Sequence, residues 1–361
     1  MKLTSLNQTH RAAGATMVPY AGWDMPVSYA GTVSEVEAVR AKAGIFDVSH
    51  MGEVRVTGPG AFAFLQSITT NDLGRIGPSQ AQYSLLLNPN GGVIDDIIIY
   101  ELAADDFMVV VNAGCKDKDW DWIRAHSVGG ASFLLNDESD HTALLAVQGP
   151  GAIAIIDGLS ASAGIDAMAR FELREDVVAG IRCIVARTGY TGEDGCELFC
   201  AWDDAPKLWA ATVDSGAVPA GLGARDVLRL EAAYPLYGHE LLEDVSPLEA
   251  GAGWAVKTKK GDFIGRAAVV ENKKSGPGRK LVGIRMTERA IPREGYAVLS
   301  TDGAPIGLVT SGTYSPTVKA GIALARVDIG HAGVGTELVV DIRGRQAPAT
   351  IVELPFYRNG V

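Results

Sequence analysis

The segment Asn88-Pro89-Asn90-Gly91-Gly92-Val93-Ile94-Asp95-Asp96-Ile97-Ile98-Ile99-Tyr100 constrains the fold more than any other in the chain. It opens with turn chemistry, in which proline presets φ while asparagine and glycine tolerate positive φ. The β-branched run that follows reads as a buried strand, so the segment predicts a hairpin. Two carboxylates inside such a strand need an explanation, because burying an unpaired acid is costly. Successive side chains alternate faces, so Asp95 and Asp96 diverge and cannot act as an adjacent proton-sharing pair. One acid is expected to meet a structural donor and the other to face a site. The same parity puts Asp96, Ile98 and Tyr100 on one face. A four-residue loop would set Tyr83 across from Asp96, and a five-residue loop would shift that register by one. The structural alternative is that both aspartates bond backbone amides or an arginine and merely shape the hairpin.

The surrounding texture is short β-rich stretches, Glu53 to Val56, Tyr83 to Leu87 and Phe107 to Asn112, with a helix expected from Ala61 to Ile68. This predicts antiparallel α+β structure. Regular βα alternation with a glycine-rich phosphate loop is absent, which argues against a doubly wound nucleotide-binding domain. Earlier, Ser34 to Glu37 has capping-box spacing, Val36, Val39 and Ala43 form an apolar stripe, and Gly44 offers a stop. Helices are expected through Trp202 to Val213 and Ala224 to Ala233. The polar, basic stretch Glu271 to Lys280 reads as a linker. Beyond it, β-runs from Leu281 to Leu354 predict a small sandwich or barrel.

The 361 residues carry 32 Lys plus Arg against 43 Asp plus Glu, a net charge of −11 that disfavours nucleic acid or an anionic membrane as partner. Cys115, Cys183, Cys196 and Cys200 are too few for a disulfide framework, and with His10, His50, His126, His141, His239 and His331 they give no four-ligand metal spacing. They are expected to be buried small hydrophobes. The N-terminal residues lack a secretory or presequence pattern, and no apolar run approaches about 20 residues, so a cytoplasmic location is expected. Serine-hydrolase, P-loop and dinucleotide fingerprints are missing.

Two further segments suggest chemistry. Arg187 to Phe199 is a Gly-rich turn leading into a strand, where Tyr190 offers a stacking platform and Glu197 an acceptor for the amino and ring N–H groups of a heterocycle. The bland reading is a hairpin with a solvated acidic turn. Gly221 to Ala232 reads as a helix start, where Arg225 could bind a carboxylate or pair with Asp226 or Glu231.

Met17 to Val27, Phe46 to Met51, Gly91 to Asp96, Asn112 to Cys115, Leu144 to Pro150, Gly189 to Glu197, Ala224 to Ala232, Pro247 to Glu249, Thr310 to Gly312 and Ser315-Pro316 together resemble the aminomethyltransferase, or T-protein, family of the glycine cleavage system. The resemblance spans nearly the whole chain and implies a three-domain α+β ring, or cloverleaf, of antiparallel sheets with folate in the central opening. It places an interrupted first domain at 1–52 and 138–270, an inserted domain carrying the hairpin at 53–137, and a C-terminal β-barrel or jelly-roll-like domain at 278–361. It implies transfer of the aminomethyl carbon from the lipoyl arm of a carrier, the H-protein, to tetrahydrofolate as co-substrate, with ammonia released. No metal or nucleotide cofactor is implied, and functional links run to the glycine decarboxylase and dihydrolipoamide dehydrogenase components.

By the same resemblance Asp96 is the catalytic carboxylate beside the pterin. Tyr190, Glu197 and Arg225 match folate-contacting positions, and Met51, Tyr83, Tyr100, Asn112, Trp254 and Tyr357 match the pocket wall. Folate-dependent demethylases and a non-catalytic folate-binding relative share the fold. The binding relative carries a cysteine in a Lys-Gly-Cys-Tyr-like loop, where this chain has Arg187-Thr188-Gly189-Tyr190.

Overall fold

The computed structural model describes residues 1–127 and 132–359. The chain divides into two compact units. One comprises Met1–Ile68, Asp72–Ser84 and Ile97–Asp226, and the other comprises Thr69–Asn71, Leu85–Asp96 and the chain from Val227 onward.

In the first unit a six-stranded sheet runs in the order Leu173–Val178, Ile181–Ala186, Gly195–Ala201, Thr142–Gln148, Gly44–Asp47, Val218–Pro219. Its neighbours are antiparallel except for the last pair. Leu145, Val147, Val185 and Leu198 bury one face of this sheet together with Ile156, Leu208 and Trp209 from helices Ala152–Leu159 and Ala205–Asp214. Period-2 alternation on the strands and a helical stripe on the covering elements generate that core. A second, five-stranded sheet has the order Gln80–Leu87, Val93–Ala103, Asp106–Val111, Gly52–Thr57, Leu134–Asp137. The expected helix Ala61–Ile68 forms, and its buried residues, Ala61, Phe64, Leu65 and Ile68, are spaced as one helical face requires.

The second unit contains a closed barrel in the order Arg279–Met286, Ala320–Asp328, Pro305–Ser315, Ala297–Leu299, Glu337–Ile342, Arg345–Val352. The first strand pairs with the second and with the last, so no edge is left open. Ile284, Val298, Ala325, Val340 and Ile351 fill its interior.

Two local expectations change. Helix Thr32–Ala41 starts two residues before Ser34, so the capping box does not form. Glu35 performs the capping instead. Its Oε1 accepts from the Tyr29 and Gly31 amides at 2.6 and 3.1 Å, while Oε2 accepts from Gly221 N–H at 2.9 Å, tying helix Leu222–Glu231 to the earlier one. The expected linker is half helical: Arg266–Ser275 runs into it, with Lys273 and Lys274 in the last turn, where cations suit the helix dipole. Only Gly276 to Gly278 separates that helix from the barrel. None of the four cysteines forms a disulfide and all are buried, and burial pushes the thiols of Cys183, Cys196 and Cys200 up to about 12. No described helix is long and apolar enough to cross a membrane.

Candidate active site

The loop that presents Tyr190 is held from three sides within the first unit. Gln148 donates to the Thr188 carbonyl at 3.1 Å and accepts from Thr191 Oγ1 at 3.0 Å. A Cβ on Gly189 would meet Gln148 Oε1 at 2.0 Å, so the close approach admits only glycine. Arg40, on helix Thr32–Ala41, donates to the Thr191 carbonyl at 2.8 Å and to Glu193 at 2.7 Å, and Arg187 donates to Asp194 at 2.6 Å. Glu193 is buried. Of the turn's two acids, Glu193 is paired and packed, whereas Asp194 is paired but exposed.

Across from it, the guanidinium of Arg225 lies 4.7 Å from the Tyr190 ring centroid, a cation–π arrangement. Arg225 makes no ion pair among the described residues, so neither Asp226 nor Glu231 claims it. Both side chains are half-buried. Together they leave an aromatic platform backed by a positive charge.

Glu197 follows on strand Gly195–Ala201, paired with Ala186. Thr188 Oγ1 donates to its Oε2 at 2.5 Å, and Tyr100 OH donates to the same oxygen at 3.1 Å. Tyr100 is essentially buried and packs edge-on against Phe199 with ring centroids 5.2 Å apart. Burial first, then the charge of Glu197, holds its phenol protonated well above the ordinary range. Glu197 itself is half-buried and reachable.

Three other expected residues belong to the five-stranded sheet or its strand ends in this unit. Gly52 pairs with Val111, so Met51 and Asn112 sit just beyond that pair at the same end of neighbouring strands, both half-buried. Tyr83 is half-buried on Gln80–Leu87.

Two residues with unusual surroundings escaped the sequence reading. His50, beside Met51, is buried, packs edge-on to Tyr20 at 5.6 Å and leaves Nδ1 unbonded among the described residues. Burial and the charge of Arg225 outweigh Asp47 and push its imidazole down to about 4, so it is neutral at physiological pH. Glu53 is fully buried on strand Gly52–Thr57, and both of its carboxyl oxygens lack a hydrogen-bond partner among the described residues. Burial, outweighing nearby Lys116 and reinforced by Asp137 and Glu138, raises it well above the carboxylate range. No motif marks either residue, because each owes its state to packing that forms only in the fold.

The second unit holds Asp96, Trp254 and Tyr357. The hairpin turn spans Asn88 to Gly92, the five-residue alternative, and is closed by Asn88 N–H donating to the Gly92 carbonyl at 3.0 Å. Asn88 Nδ2 and the Val93 amide donate to the carbonyls of Glu243 and Leu242 at 2.8 and 2.9 Å. A Cβ on Gly92 would lie 1.8 Å from the Glu243 carbonyl oxygen. Along the strand Asp95 is fully buried and Asp96 half-buried, as opposite faces require. Tyr357 is anchored by its amide to the Glu231 carbonyl at 2.9 Å, and the carboxylate of Glu231 accepts from Ser315 and Thr317 at 2.5 and 3.0 Å. Trp254 is 61% exposed.

Residues 6–260 match the family model described as the GCVT N-terminal domain, and residues 279–358 match that of the glycine cleavage T-protein C-terminal barrel domain. Curated proteins named aminomethyltransferase from Geobacillus kaustophilus and Symbiobacterium thermophilum are 47% and 48% identical, each alignment covering 99% of this chain and 99% and 98% of theirs. The crystal structure of the glycine cleavage system aminomethyltransferase T from Bartonella henselae superposes with a TM-score of 0.93 at 34% identity, covering 99% of this chain and 98% of that one. The chain belongs to the glycine cleavage T-protein, or aminomethyltransferase, family.

Proposed function

We infer that this protein is a tetrahydrofolate-dependent aminomethyltransferase. It takes the methylene carbon from an aminomethyl-dihydrolipoyl carrier to tetrahydrofolate, forming methylene-tetrahydrofolate and releasing ammonia. The full-length likeness to aminomethyltransferases carries this reading. The half-exposed Glu197 accords with it, because a pterin edge carries adjacent N–H donors that a carboxylate can accept. Tyr190 and Arg225 supply a face on which a flat ring can stack and a charge that suits the folate carboxylates. By the family resemblance Met51, Tyr83, Tyr100, Asn112, Trp254 and Tyr357 are the further proposed folate-site residues.

In this reading Asp96 contacts the folate and Asp95 serves the fold, a division that their unequal burial supports. Asp96 accepts the proton that N5 loses as N5 bonds to the methylene carbon and passes it to the amine, which leaves as ammonia; its charge stabilises the cationic carbon while N10 forms the second bond and the carbon–sulfur bond breaks, the N10 proton going to the sulfur to leave the dihydrolipoyl carrier. The lipoylated H-protein is the proposed carrier, with glycine decarboxylase and dihydrolipoamide dehydrogenase as functional neighbours. A cytoplasmic location suits four cysteines that form no disulfide. The proposed domain division is 1–52 with 138–270, 53–137 and 278–361, and apart from Gly52, the first residue of Gly52–Thr57, the strands of each of the three large sheets fall within one of those segments. A demethylase or a binding-only role is not favoured.

The test is ammonia release from an aminomethyl-loaded lipoyl carrier, with and without tetrahydrofolate. Folate-dependent release establishes the transferase, and folate binding without release overturns it.

A further inference from the structure

We propose that Thr188 and Tyr100 are positioning residues that act through Glu197, fixing which of its oxygens meets the substrate and thereby setting the preference for a ring edge rich in N–H donors. The proposal rests on the reading of Glu197 as a folate contact. Its basis is a triangle of three oxygens. Thr188 Oγ1 and Tyr100 OH both donate to Glu197 Oε2, at 2.5 and 3.1 Å, and lie 3.2 Å from one another. Glu197 Oε1 makes no hydrogen bond among the described residues. A carboxylate can accept at about four lone-pair positions. Here the donors converge on one oxygen and leave the other open.

Two features make the clamp rigid. Tyr100 and Thr188 are 1% and 8% exposed, so water cannot readily replace them. Each is also pinned by its own surroundings: Tyr100 by the edge-on Phe199 ring, and Thr188 by Gln148, which accepts from Thr191 while donating to the Thr188 carbonyl. Thr188 has one hydroxyl proton and spends it on Glu197, the shorter contact, so the Tyr100 proton is shared between Glu197 Oε2 and Thr188 Oγ1. Both protons point at the carboxylate. The group stays an acceptor, and it rejects ligands that would present a carbonyl or ring nitrogen lone pair at Oε1. A 2-amino-4-oxopyrimidine edge matches, whereas the same ring without its 2-amino group loses one donor. Tyr100 thus acts through Glu197.

The experiment measures the dissociation constants of tetrahydrofolate and of its 2-desamino analogue for the wild type and for T188V, T188S, Y100F, E197Q and the double variant T188V/E197Q. T188V is expected to weaken tetrahydrofolate binding roughly tenfold, about the value of one hydrogen bond to a charged group. It should also shrink the preference over the desamino analogue, which a general loss of folding would leave unchanged. T188S should restore both quantities, Y100F should lie between, and T188V should add little in the E197Q background, because coupled groups are not additive. If E197Q leaves tetrahydrofolate affinity untouched, the reading of Glu197 fails. If E197Q weakens binding while T188V and Y100F match the wild type in affinity and preference, the clamp fails and the folate reading stands.

Discussion

Replacing Glu53 by glutamine tests whether a buried acid in the five-stranded sheet is neutral. Glu53 is fully buried, neither oxygen has a hydrogen-bond partner among the described residues, and the groups facing it are Lys116, Asp137 and Glu138. Burial raises its carboxyl well above 4.5, the value expected when the chain unfolds. Above pH 4.5 the folded state therefore holds one proton that the unfolded state releases. Linkage makes the sign explicit: stability falls as pH rises through this window, by about 1.4 kcal/mol per pH unit for one proton, until the folded-state value is reached. The amide of E53Q binds no proton, so that component of the slope vanishes. The assay is urea unfolding of both proteins at half-unit steps from pH 5 to 8, following the transition of the first unit by circular dichroism. The difference in stability, variant minus wild type, should climb with pH at about that rate. Parallel stability profiles, with no pH-dependent difference, would refute the reasoning and show that Glu53 is ionised in the fold.

Other perturbations have equally definite outcomes. D96N should retain tetrahydrofolate affinity while slowing transfer by about 10²–10⁴-fold, because an amide keeps the shape but accepts no proton; D95N should instead lower the unfolding temperature and leave turnover per folded molecule intact. R40M strands the buried Glu193 carboxylate and should cost about 3–5 kcal/mol in chemical denaturation, with weaker folate binding as the Tyr190 loop loosens. G92A drives a methyl into the Glu243 carbonyl and should destabilise by about 1–3 kcal/mol, measured by thermal unfolding.

Features set by short-range periodicity were legible in the sequence. Helix Ala61–Ile68 and the opposed burial of Asp95 and Asp96 follow from spacings of a few residues, which sterics translate directly into faces. Features that need distant partners were not. Barrel closure joins Arg279–Met286 to Arg345–Val352, about as far apart as that region of chain allows, so a run of strands alone leaves sandwich and barrel open. Ser34 looked like a cap because its spacing is right, but Glu35 won by reaching amides from Tyr29 and from distant Gly221 together. Lys273 and Lys274 resembled linker composition, yet basic residues also suit a helix C-terminus. In the candidate site, Tyr190, Glu197 and Arg225 stood out by residue type. Thr188 did not, because a threonine before a glycine turn is unremarkable until the fold brings it 2.5 Å from Glu197.

The most direct test of the central claim follows the transferred carbon itself. A lipoyl carrier loaded with a ¹³C-labelled aminomethyl group is mixed with the protein and tetrahydrofolate and observed by NMR. The account predicts that the label leaves the carrier and appears as methylene-tetrahydrofolate, with one ammonia for each methylene transferred. A label that stays on the carrier while tetrahydrofolate is bound would contradict it.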